Sequence, residues 1–248
     1  MNLFDLTGKK ALVTGAGSPH GMGRAMAQAL KAAGAEVVIV SRTARVFDVA
    51  REDGFSAVQA DLANRDDLRR AFAEAVGRLT TLDILVNCHG ITHLHEAQTF
   101  PIDVWDRMLE VNLTSVLLLC QLAGQIMLEK GYGKIINLAS MMTFFGGTLI
   151  PSYAASKGAV GQLTKALANE WAGRGVNVNA IAPGLIETEM TAGLKNNPAR
   201  REQFFSRIPA GRFGKAADVQ GAAVFLASRA SDYVHGAILP VDGGFLAR

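Results

Sequence analysis

Cysteine is scarce in this chain of 248 residues: two occur, Cys88 and Cys120. Neither sits in a Cys-x-x-Cys pair or another metal-ligand spacing, which excludes a disulfide-stapled framework and leaves both as free thiols of a reducing compartment. A long hydrophobic run is missing as well. The N-terminal Met1-Asn2-Leu3-Phe4-Asp5-Leu6 has no basic stretch leading into an apolar one, and no apolar stretch approaches the ~20 residues of a membrane span. The expected location is cytoplasmic, with no membrane partner. Charge of one sign is nowhere concentrated. Lys and Arg number 25 against 22 Asp and Glu, a net +3, and the cations are scattered rather than gathered in a block, which argues against nucleic acid as a partner. Linkers, repeats and low-complexity tracts are absent. A chain of this length makes one large α/β domain that buries roughly 70–75% of the surface its unfolded form exposes.

What is present is an alternation. Lys10 to Thr14 is a short apolar run ending at a glycine, suited to a strand buried on both faces, and a helical stretch follows from Gly23 to Ala33. Strand-like segments recur at 36–40, 56–60, 82–86, 134–138, 176–181 and 237–241, with helical segments between. Asn64 is placed to cap a helix whose apolar Leu68, Phe72, Val76 and Leu79 recur every three or four positions and so lie on one face. Strands alternating with helices pair in parallel through right-handed crossovers. The expected fold is therefore α/β, a doubly wound parallel sheet of the Rossmann type with helices on both faces, in a single domain over 1–248 with a substrate lid at 187–208.

The loop Thr14-Gly15-Ala16-Gly17-Ser18-Pro19-His20-Gly21-Met22-Gly23 joins the first strand to the first helix. Its four glycines let backbone N–H groups approach a pyrophosphate at the positive end of that helix, although glycine-rich turns also end strands for conformational reasons alone. The second strand ends in Ser41-Arg42, where such folds read the adenosine ribose. Arg42 suits the 2′-phosphate of NADP where an acid would suit NAD; solvent exposure at a strand end is the plainer alternative. NADP(H) is favoured and NAD(H) kept as the alternative. Asp61, with Leu62, follows the third strand and is a candidate for the adenine, while Asn87 and Gly90 follow the fourth and are candidates for the cofactor channel; each also fits turn chemistry.

Tyr153 and Lys157 are four apart on a predicted helix, so their side chains share a face and the ammonium can lower the phenol pKa. That matters because a tyrosine near pKa ~10 is a poor base at neutral pH. Ser140 ends the preceding strand, and a strand-to-helix return brings its hydroxyl beside the phenol to hold a substrate oxygen.

With these residues the chain resembles the short-chain dehydrogenases/reductases over essentially its whole length, through the glycine loop, Asp61, Asn87-Cys88-His89-Gly90, Asn112, Ser140, Tyr153-x-x-x-Lys157, Pro183-Gly184 and Asp242-Gly243-Gly244. The resemblance implies a tetrad. Tyr153 is its general acid/base, Ser140 polarises the carbonyl, Lys157 lowers the tyrosine pKa and binds the nicotinamide ribose, and Asn112 holds a water that relays the proton. It also implies nicotinamide contacts from Pro183, Gly184, Ile186 and Thr188, and a homo-tetramer. Two departures stand out. The family loop runs Thr-Gly-x-x-x-Gly-x-Gly, whereas Gly15 and Gly21 are six apart here, so the loop is two residues longer and Ser18 or His20 joins the candidate phosphate contacts with Gly15, Gly17, Gly21 and Met22. The family's Asn-Asn-Ala-Gly is replaced by Asn87-Cys88-His89-Gly90.

Within the family the chain is similar to the sugar-acid branch typified by 2-deoxy-D-gluconate 3-dehydrogenase and gluconate 5-dehydrogenase, through segments such as Arg207-Ile208-Pro209-Ala210-Gly211-Arg212 and the tail Val241 to Arg248. A secondary alcohol and a ketone would be interconverted on such an acid. Its carboxylate calls for a cation, and Lys195, Arg200, Arg201 and Arg207 are at hand, though exposed charges on a lid signify little by themselves. A 3-oxoacyl-thioester reductase is the competing enzyme reading, and a non-catalytic nucleotide-binding regulator the alternative of another class. His89, His93 and His95 fall close together but match no common zinc spacing; no metal is expected, and polar substrate contact or plain loop placement are the readings left.

Overall fold

The computed structural model of the chain describes residues 2–189, 191, 193 and 198–247. Its strands are β1 (Lys10–Thr14), β2 (Glu36–Ser41), β3 (Ser56–Gln59), β4 (Ile84–Asn87), β5 (Gly133–Leu138), β6 (Val176–Pro183) and β7 (Ile238–Val241). They form one seven-stranded sheet in the order β3-β2-β1-β4-β5-β6-β7, parallel at every pairing. The doubly wound α/β fold read from the alternation is the one observed. β4, β5 and β6 are buried at every position, because helices cover both faces, and such strands read as continuous rather than alternating apolar runs.

The helices are α1 (Met22–Ala32), α2 (Arg45–Asp53), α3 (Arg65–Leu79), α4 (Ile102–Leu109), α5 (Ser115–Lys130), α6 (Pro151–Trp171), α7 (Pro198–Phe205) and α8 (Gln220–Ala227). Met26 and Leu30 of α1, Val46 and Val49 of α2 and Leu226 of α8 share one core layer with the sheet. Leu68 and Phe72 of α3, Leu119 of α5 and Trp171 of α6 form the other. Asn64 caps α3 as expected: its Oδ1 accepts from the Asp66 and Asp67 amides at 3.0 and 3.1 Å, and the two acids of that first turn complement the helix dipole.

β4 starts at Ile84, two residues later than the sequence pattern placed it. Asp83 is instead committed to the Lys10 amide at 2.9 Å and to the Lys130 ammonium. A second correction concerns length. α4 and α5 join through a π-helical turn at Glu110–Thr114 into one helix, Ile102–Lys130, of 29 residues, long and apolar enough to cross a membrane by length and composition. Half of its most apolar stretch is buried inside the protein, against the sheet and α3 and α6, which accounts for its apolar character without a bilayer.

A buried polar ladder ties the sheet to α6. Asn87 Nδ2 donates to Asn137 Oδ1 at 2.9 Å, Asn137 Nδ2 to Thr164 Oγ1 at 3.0 Å, and Thr164 Oγ1 to the Val160 carbonyl at 2.8 Å. Buried polar chains of this kind favour one register where apolar packing alone would tolerate several, although Asn87 Oδ1 at the head of this one has no partner.

Candidate active site

Strand order reverses between β1 and β4, and in open parallel sheets the crevice beyond the carboxyl ends at such a point is where ligands bind. A cavity of about 340 Å³ lies there, walled by the segments that follow β1, β2, β3, β4 and β6. Of the residues expected to hold a dinucleotide, Gly15, Gly17, Ser18, Gly21 and Met22 line it from the first loop, Ser41 and Arg42 from the second strand end, Asp61 and Leu62 from the third, Gly90 from the fourth and Thr188 from the sixth.

The extended loop has a simple geometry. Gly21 N–H donates to the Ser18 carbonyl at 3.1 Å, so the two extra residues, Pro19 and His20, form the tip of a turn that leaves Ser18 and Gly21 on the cavity wall. His20 itself faces a neighbouring hollow with Arg24 and Lys215 rather than the main cavity, which corrects its candidacy beside Ser18. Gly15 adopts φ +72°, and a Cβ there would lie 2.7 Å from the His89 backbone; a Cβ on Gly17 would lie 2.6 Å from Ser41 Oγ. Ser18 Oγ is buried without a hydrogen-bond partner, and α1 begins at Gly21 with no side-chain cap. An orphaned hydroxyl, an uncapped helix N-terminus and a cradle that side chains would fill are what a pyrophosphate requires, so these residues fit a dinucleotide.

The tetrad candidates come from three elements: α6, the π turn and the segment after β5. Lys157 on α6 is buried, and its Nζ donates to the Leu138 carbonyl at the end of β5 at 2.6 Å. Burial brings its pKa down to about 8. Asn112 sits in the π turn, fully buried; its Oδ1 accepts from Ile91 N at 2.8 Å and its Nδ2 donates to Ile91 O at 2.9 Å and to Ser156 Oγ at 3.2 Å. Gly90 lies between them, since a Cβ on it would stand 3.3 Å from Asn112 Oδ1 and 3.7 Å from Lys157 Nζ. π turns inside α-helices mark functional sites often, and this one aims Asn112 at the loop after β4.

Ser140 lies two residues past β5 in extended backbone, where its Oγ accepts from the Met142 amide at 3.1 Å and its hydroxyl is near enough to the Tyr153 phenol to act on its titration. Burial pushes the phenol above its usual value and the nearby Ser140 hydroxyl opposes it. The expected lowering by Lys157 is thus corrected: the ammonium lies 5.9 Å from the Tyr153 ring centroid, anchored on Leu138, and is not among the causes of the phenol's shift. Sequence reading also missed Thr143. Its Oγ1 accepts from Ser140 N at 3.3 Å and donates to the Lys157 carbonyl at 2.8 Å, locking the serine's strand end to the helix that carries the tyrosine. A hydroxyl three residues past a strand-terminal serine was the available signal.

A family model described as Enoyl-(Acyl carrier protein) reductase matches residues 15–246. The chain is 48% identical over 250 residues to 2-dehydro-3-deoxy-D-gluconate 5-dehydrogenase of Bacillus subtilis (strain 168), covering 99% of this chain and 97% of that protein. The chain belongs to the short-chain dehydrogenases/reductases. It is also 42% identical to galactitol 2-dehydrogenase (L-tagatose-forming) of Cereibacter sphaeroides, over 98% of this chain and 97% of the relative. Among solved structures, a gluconate 5-dehydrogenase from Burkholderia cenocepacia J2315 in complex with NADP and tartrate superposes with TM-score 0.93 at 39% identity, over 100% of this chain and 98% of that one.

Several residues this short-chain dehydrogenase/reductase was expected to use directly are placed otherwise. The Asn87 side chain points into the sheet, toward Asn137 and Cys120, and does not line the cavity. Asp61 lines it, but its carboxylate already binds Arg107 at 2.9 Å and the Ala63 amide at 3.1 Å. Pro183 ends β6 and Gly184 follows it against the turn after β7, where a Cβ on Gly184 would lie 2.7 Å from the Asp242 Cα, and Ile186 packs over Gly214; none of the three lines the cavity. His89 is buried behind the cavity wall it helps to form beside Gly90: it bridges Thr14 Oγ1 at 2.7 Å and Ser115 Oγ at 2.6 Å. Ser115 donates to the Val111 carbonyl, so it must accept from His89 Nε2–H, which leaves Nδ1 to accept from Thr14. His93 and His95 stack at 6.1 Å and meet the Phe100 ring edge-on, and no metal-holding cluster exists among the described residues. Lys195 and the Arg200 side chain lie outside the described residues. Arg201 packs on Phe205 and Phe213. Arg207 lies over Phe245 at 4.2 Å and Phe145 at 5.6 Å, in the apolar cluster that includes Tyr153 and Ile150.

Proposed function

We propose that this protein is an NADP(H)-dependent oxidoreductase that interconverts a secondary alcohol and a ketone on a sugar acid of the gluconate or deoxygluconate type. The observation that supports the chemistry is a buried Lys157 anchored on Leu138 and lying behind cavity-lining Gly90, with Ser140 and Tyr153 close enough for the serine to act on the phenol. Nicotinamide supplies or accepts the hydride. Ser140 and Tyr153 both hold the reacting oxygen, and Tyr153 Oη gives it a proton on reduction and takes one on oxidation. A phenol kept protonated by burial is ready to donate to a carbonyl oxygen in the reductive direction. Lys157 binds the nicotinamide ribose, and Asn112, clamped on Ile91, holds the relay water behind it.

NADP(H) is supported by Arg42, which lines the cavity and makes no ion pair among the described residues, and by the NADP in the Burkholderia structure. Arg207, unpaired with any acid among the described residues and held over two rings of the Tyr153 cluster, is our candidate for the substrate carboxylate, with the segment 187–208 as its cover. A cytoplasmic homo-tetramer completes the reading: both cysteines are free thiols, and Leu118, Leu122 and Ile126 of α5 stay partly exposed. Light scattering measures the assembly directly.

The decisive assay follows NADPH oxidation with 5-ketogluconate, 2-dehydro-3-deoxygluconate and acetoacetyl thioester. Turnover of the sugar acids above the thioester is expected, and Tyr153→Phe should lower it at least about 10²-fold while NADPH binding is kept. Full activity in that variant sinks the mechanism; thioester preference sinks the substrate class.

A further inference from the structure

Two arginines line the adenosine end of the cavity, and one of them is engaged. Arg42 and Arg45 stand on the same wall, with Ser41 and Thr43, at the segment that follows β2. The Arg42 backbone is held by Gln59, whose Nε2 donates to its carbonyl at 3.0 Å. Arg45, the first residue of α2, instead reaches across the opening: its Nη1 lies 3.1 Å from Oε1 of Glu189. Glu189 follows Thr188 in the segment after β6, is 144 positions away in sequence, and lines the same cavity.

This pair is weakly held. Both side chains are 56% exposed, and exposed ion pairs of this kind contribute little. A phosphate monoester carries nearly two charges and offers three acceptor oxygens to the guanidinium fork, so it outbids a single carboxylate for the same arginine.

We propose that Arg45 is a second ligand for the 2′-phosphate of NADP(H), and that Glu189 competes with that phosphate for it, narrowing the protein's preference for NADP(H) over NAD(H). The inference deepens the NADP(H) reading and rests on it. Arg42 supplies the standing attraction; Arg45 is held in reserve, and Glu189 sets how much of it the cofactor receives.

The test is equilibrium binding of NADPH and NADH, followed by nicotinamide fluorescence at fixed ionic strength, with 2′,5′-ADP and 5′-AMP as displacing fragments. Wild type, Glu189→Gln, Arg45→Gln and the double variant are compared. Glu189→Gln should tighten NADPH and 2′,5′-ADP about 3- to 5-fold, in keeping with the small worth of an exposed pair, and leave NADH and 5′-AMP unchanged. Arg45→Gln should weaken NADPH about 5- to 10-fold, as loss of one solvent-exposed hydrogen bond of ordinary net strength does, and in that background Glu189→Gln should lose most of its effect. Unchanged NADH affinity in each variant reports an intact fold. An NADPH-to-NADH ratio untouched by Glu189→Gln, or a gain of equal size with and without Arg45, overturns the inference while the NADP(H) reading stands. A wild-type protein with no preference for NADPH, and none removed by Arg42→Asp, overturns both.

Discussion

Lowering the pH from 7 to 5 will protonate His89 in the unfolded chain and leave it neutral in the folded one. Burial, and then the charge of Lys157, push this imidazole from 6.5 down to about 3. Between those values the unfolded state binds the extra proton, so stability must fall as pH drops below 6.5 and continue falling to about 3. At pH 5 the gap is about one and a half units, worth about 2 kcal/mol; by pH 3 the same residue alone has cost about 5 kcal/mol. Urea unfolding at pH 7 and pH 5, at one protein concentration, measures the loss. The control is His89→Gln, whose amide can still donate to Ser115 Oγ but cannot titrate. The acids that Arg24, Arg107 and Arg65 hold below the usual carboxylate range, Asp53, Asp61 and Glu110, contribute equally to both proteins and cancel. Wild type should therefore lose about 2 kcal/mol more than the variant over this interval. Equal losses would show that His89 is not held neutral by its burial, and would refute the Thr14–His89–Ser115 arrangement as the cause.

Two further outcomes are expected. Gly77 is exposed on α3 and a Cβ there meets nothing within 4 Å, so Gly77→Ala should stabilise the protein by about 1 kcal/mol, read as a rise of about 2–4 °C in Tm with kcat unchanged; a lower Tm would contradict the open space described. Asn112→Ala strips three hydrogen bonds and leaves Ile91 N without its side-chain acceptor. Stability should fall by about 1–3 kcal/mol and kcat should fall with it, whereas a variant with wild-type Tm would show that the clamp on Ile91 carries no weight.

The fold was legible because its signals are local. The apolar runs at Lys10 to Thr14 and Glu36 to Val40 became β1 and β2, and Asn64 was readable as a cap because its partners are two and three residues away. The misreadings share a cause. Leu82 and Asp83 looked like strand, but Asp83 is claimed by Lys10 and Lys130, far off in sequence. His89 read as a loop histidine, with substrate contact and plain placement both open, because nothing nearby announces Thr14 or Ser115 as its partners.

The same division runs through the site. Sequence alone determined that Tyr153 and Lys157 share a helical face, that a glycine loop precedes a helix N-terminus, and that Ser140 ends a strand, since helical periodicity and turn chemistry operate over a few residues. Tertiary structure decided what each charge and hydroxyl experiences. It anchored Lys157 on Leu138 rather than against the phenol, turned the π helix so that Asn112 grips Ile91, folded Pro19 and His20 out of the cavity, and set Glu189 against Arg45. Burial and charge partnership depend on groups brought together from distant elements, and no local pattern in a sequence carries that information.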